Sequence, residues 1–68
     1  MNDDLYQAYI RAALNVAIGI DVQDRVDTDP TWPADRTPHA DELRRQHRAA
    51  DLTAFRAASD AWSASLKH

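Results

Sequence analysis

Sixty-eight residues with no cysteine, eleven acidic and eight basic side chains and a net charge of −3 set narrow bounds. A chain this short makes at most one thin-cored domain, and without thiols it has neither disulfides nor thiolate metal sites to support it. Tight helix packing or a partner chain is left as the support. The acidic start Asn2-Asp3-Asp4 lacks the positive charge of a leader peptide, and the longest nearly apolar run, Ala12 to Ile20, is about half a membrane span, so a cytoplasmic protein with no membrane partner is expected.

The first element is predicted as a helix over about 3–18. Its residues are good helix formers without proline, Asn2 can serve as N-cap, and Asp3 and Asp4 sit where the helix dipole favours negative charge. Gly19, the only glycine, is expected to end it in a left-handed conformation, with Ile20 folding back on the last turn. Leu5, Tyr6, Tyr9, Ile10, Ala13, Val16, Ala17 and Ile20 fill an arc of about 140°, which Ala12 and Leu14 widen to about 200°. One partner helix cannot cover that arc, so a further helix or a second chain is expected to share it.

Residues 21–36 read as a loop. Aspartates stand at 21, 24, 27, 29 and 35 and prolines at 30 and 33, and Asp21 with Asp24 can cap one short turn through Val26. A loop of this length inside a compact domain tends to be functional or ordered by a partner. Trp32, held stiffly between Pro30 and Pro33, suits either a core plug or an interface anchor, and the plug accounts for the surplus apolar surface of the first helix.

Thr37-Pro38 marks the start of a second helix over about 38–66, with threonine as N-cap and proline in the first turn. It would run roughly 40 Å against roughly 24 Å for the first helix. Two outcomes fit that mismatch: a break near residues 50–51 with Asp51 recapping, or an overhang that meets a second chain. Phe55, Trp62 and Leu66 mark the carboxyl half as the main packing surface. A 4-3 spacing through Leu43, His47, Ala50, Ala54, Ala57, Ala61 and Ala64 outlines a possible heptad seam.

Residues for chemistry are sparse. His39 with Glu42 and His47 with Asp51 each suit one helical turn, but two turns separate the pairs and no third histidine is near, so no metal is expected. Asp27, Asp29 and Thr31 are spaced like the start of a calcium loop, which fails at Trp32 and Pro38. No glycine-rich phosphate loop, nucleophile elbow or histidine–nucleophile pair is present, so neither enzymatic activity nor a cofactor is expected. Arg36, Arg44, Arg45 and Arg48 give residues 36–48 a net charge of +2, beside residues 21–35 at −4, and mutual neutralisation is the simpler reading of that contrast.

The sequence thus predicts one all-α domain spanning residues 1–68: a helical hairpin or small three-helix bundle with a long Asp/Pro-rich loop, completed by a second chain. The expected role is protein–protein contact, as a small regulator or inhibitor of a larger protein, a phage-type accessory protein or an accessory subunit of an assembly. Its partner is either itself, as a homodimer, or a larger protein. Trp32, Leu43, Arg44, Arg45, His47 and Arg48 are the candidate interface residues. The alternative is a small DNA-binding regulator that uses Arg44, Arg45 and Arg48; the acidic balance disfavours a nucleic-acid partner.

Overall fold

A computed structural model describes residues 3–67, which form two helices, α1 (Asp3–Thr28) and α2 (Pro38–Ser65), packed side by side in opposite directions. The predicted cap Asn2 lies outside the described residues. The architecture is an all-α hairpin; among the described residues there is no third helix and no strand.

α1 does not stop at Gly19. It continues through the expected loop to Thr28, and no described residue has a positive φ. Local pairing outweighs the glycine signal, because the acidic half is tied at i,i+4: Arg25 bonds Asp21 at 3.0 Å, Gln23 donates to Asp27 at 2.7 Å, and the Thr28 hydroxyl donates to the Asp24 carbonyl at 2.8 Å. Val22 and Val26 turn toward α2, and Val26, 8% exposed, is the only buried side chain among the described residues. The helix ends where Pro30 biases residue 29 away from helical geometry. The true loop is therefore residues 29–37.

α2 begins as its sequence predicts. Thr37 is extended, with ψ at 153°, and its hydroxyl accepts the Ala40 amide at 3.3 Å, while Pro38 occupies the first turn. The break near 50–51 is absent, since Asp51 faces α1 rather than recapping the helix. Helices of 26 and 28 residues are about 39 and 42 Å long, so the mismatch that motivated an overhang disappears.

The packing seam of α1 runs Leu5, Tyr9, Ala12, Val16, Gly19, Gln23 and Val26, a 4-3 spacing unbroken across the glycine. Its counterpart on α2 runs Arg44, Arg48, Asp51, Phe55, Ala58, Trp62 and Ser65. That seam lies one residue after the predicted one, whose members Leu43, His47, Ala50, Ala54, Ala57, Ala61 and Ala64 are all exposed. A one-residue shift turns a helix by about 100°, and the phase is set by the side chains with most area to bury, which are Phe55, Trp62 and the arginine stems rather than the alanines.

The hairpin has two different ends. At the open end the rings of Tyr9 and Trp62 stack at 4.8 Å, with Tyr6 at 5.3 Å from Trp62 and Phe55 at 5.5 Å from Tyr9. Toward the loop the seam turns polar, with Gln23 accepting a hydrogen bond from Arg48. The expectation that packing belongs mainly to the carboxyl half of α2 holds for the aromatic side chains. The amino half is packed too, through Arg44 and Arg48.

Candidate partner-binding groove

Two of the arginines tie the loop to the helix ends. Arg36 donates to the carbonyls of Asp29 at 2.8 Å and Val26 at 3.4 Å, which places a cation on the carboxyl end of α1 where the helix dipole and its unpaired carbonyls favour one. Arg44 donates to the Asp35 carbonyl at 2.6 Å and pairs with Asp41 at 3.4 Å, while its Nε is buried without a partner. Two aspartates shape the turns between them. Asp29 accepts the Thr31 hydroxyl at 2.6 Å and its amide at 2.9 Å, and Asp35 accepts the Thr37 amide at 2.9 Å. These bonds, from Thr31 to Asp29 and from Thr37 to Asp35, hold both carboxyls below their ordinary value of 3.8.

Among the described residues no ion pair joins the arginines of residues 36–48 to the aspartates of residues 21–35, so the direct pairing that the charge contrast suggested is not what holds them. Arg36 and Arg44 donate to backbone carbonyls, of the loop and of Val26 at the end of α1, rather than to the loop carboxylates. Arg45 turns outward and pairs within its own helix, with Glu42 and with Asp41 at 3.3 Å. Arg44, Arg45 and Arg48 of α2 do not make one face, because Arg44 and Arg48 are half-buried against α1 and Arg45 is exposed.

Trp32 is half-buried at the loop end. Its amide donates to the Asp29 carbonyl at 3.1 Å, and the Arg25 guanidinium lies over its ring at 4.8 Å from the centroid. The ring thus packs on a charged side chain of α1. It does not cover the apolar arc farther up that helix, where Leu14, Ile18 and Ile20 are 56, 59 and 60% exposed.

The remaining candidates come together. Leu43, Arg44, His47 and Arg48 of α2 line one groove with Gly19, Val22 and Asp51, enclosing about 340 Å³. A second groove of about 220 Å³ lies across the hairpin, between Val16, Ile20 and Leu52, and shares Gly19, Arg48 and Asp51. Gly19 lies where the two grooves meet: a Cβ there would sit 3.5 Å from Arg48 Cγ and 3.9 Å from Asp51 Oδ2, ordinary van der Waals contact with the side chains packed over it. The sequence reading missed Gly19, Val22 and Asp51. The signal was the 4-3 spacing of α1, which runs straight through the presumed stop.

Chemically the larger groove combines apolar side chains, Val22 and Leu43, with the polar side chains of Arg44, His47, Arg48 and Asp51. Among the described residues no ion pair joins Arg48 or Asp51 to another side chain, and no three His, Asp or Glu side chains are placed to hold a metal. His47 and Asp51 share the groove, but no third such side chain joins them among the described residues. No described helix is long and apolar enough to cross a membrane. No protein family, curated protein or solved structure matches the chain.

Proposed function

We propose that this chain is a non-enzymatic protein-interaction module, a small regulator, inhibitor or accessory subunit that docks on a larger protein through the Val22–Leu43 groove. The observation that carries the reading is the ratio of exposed to buried apolar surface: among the described residues Val26 alone is buried, while seven large apolar side chains, Leu43 among them, are between 37 and 64% exposed. Singly exposed apolar residues need no explanation, but Leu43 opens beside Val22 in a concave site that polar side chains also line, a form that suits one apolar anchor.

The tagged chain, incubated with extract of its native host and chemically cross-linked, should capture a defined protein. Capture should be lost in Leu43→Asp and retained in Arg56→Ala. Equal capture by wild type and Leu43→Asp would remove the groove from the account.

The DNA-binding alternative has less support, because Arg44 and Arg48 are committed to the hairpin and Arg45 stands among acids. No shift of duplex or single-stranded DNA is expected at about 0.1 M salt. A shift at that salt that disappears when Arg44, Arg45 and Arg48 are all changed to alanine would put nucleic-acid binding in place of protein docking.

A further inference from the structure

We infer that α1 carries a second packing seam and that a second copy of this chain covers it, closing two hairpins into an antiparallel four-helix bundle. This surface is separate from the groove of the proposed function. Tyr6, Ile10, Ala13, Ala17 and Ile20 repeat at 4-3-4-3 spacing, turned about 100° from the seam that meets α2. No charge interrupts them. Tyr6 is 42% and Ile20 60% exposed, and Leu52, 37% exposed, extends the surface across the hairpin, where it lines one groove with Ile20.

The amount of open surface fits one further copy. The chain exposes 5229 Å², about 900 Å² more than a globular protein of 7.7 kDa exposes, and a stable interface buries about 800 Å² on each partner. The shape agrees: the radius of gyration is 15.1 Å against about 11 Å for a compact domain of this length, and two rods of 49 × 19 × 14 Å laid face to face approach a compact bundle.

The seam is also close to self-complementary, as a two-fold interface requires. It is centred on Ala13, with Tyr6 and Ile20 seven residues to either side. Paired antiparallel about that point, Tyr6 meets the partner's Ile20 at both ends, and the small Ala13 allows the two helices to approach closely at the axis.

The chain has no cysteine, so one introduced thiol gives a clean test. Ala13→Cys should form a disulfide-linked dimer under mild oxidation, and Ala8→Cys, about 140° round the helix, should not. By analytical ultracentrifugation wild type should sediment at twice the chain mass, and Ile20→Asp at the single-chain mass with its far-UV helical signal intact. Wild type at the single-chain mass at high micromolar concentration, a ladder of larger masses, or equal cross-linking of the two cysteine variants would each overturn the pairing. None of these results bears on the Leu43 groove, which its own variant tests.

Discussion

Trp62→Ala should destabilise the hairpin by about 3 kcal/mol, near the lower end for a large aromatic side chain because Trp62 is only half-buried. Its ring holds both tyrosines of α1, stacking on Tyr9 and tilting against Tyr6, so its loss frees the open end of the hairpin from its main attachment. Aromatic pairs of this kind contribute about 0.5–1.5 kcal/mol each beyond the area they bury. A domain of this size has a total stability on the order of 3–10 kcal/mol, so most of the helical signal should be lost well below the wild-type melting temperature. Ser63→Ala, an exposed neighbour, should change stability by less than about 0.5 kcal/mol. A Trp62→Ala variant that melts like wild type would show that the aromatic cluster does not hold the helices together.

The second large effect concerns the path of the chain through residues 19–28. Asp24→Pro should cost about 3 kcal/mol or more, because position 24 is inside α1, where proline removes a helical hydrogen bond and clashes with the preceding turn. In a loop the same change would be nearly neutral. Gly19→Ala should act in the opposite direction and stabilise by about 1 kcal/mol, since its backbone is helical and the new methyl would meet Arg48 Cγ at ordinary van der Waals distance. At a left-handed helix end that alanine would destabilise instead. Thermal melts of the two variants decide between the geometries: a tolerated proline with a harmful alanine would mean that α1 ends at Gly19.

Features governed by neighbouring residues were legible in the sequence. Thr37-Pro38 starts a helix because the cap and the preset proline act within one turn, and Phe55 and Trp62 fall on one side of α2 because they lie seven residues apart. Features governed by competition were not. Gly19 carries a local stop signal, but the side-chain pairs of residues 21–28 and the burial of Val26 outweigh it. The alanine seam of α2 matched a heptad in spacing but brought too little area to set the phase of the helix. Among the candidate interface residues, spacing placed Leu43 and His47 on one face. It could not show that Arg44 would turn to the Asp35 carbonyl, that Arg45 would pair with Glu42, or that Trp32 would lie against Arg25.

The pairing proposed above would have a second copy of this chain complete the hairpin and add to its stability. The most direct test is the concentration dependence of thermal unfolding, followed by circular dichroism between about 5 and 500 μM. Association couples to folding, so a hundredfold rise in concentration adds about 2.7 kcal/mol per dimer, and the midpoint should climb by several degrees. A midpoint that stays fixed across that range, with the chain sedimenting at its monomer mass of 7.7 kDa, would contradict the pairing of two copies.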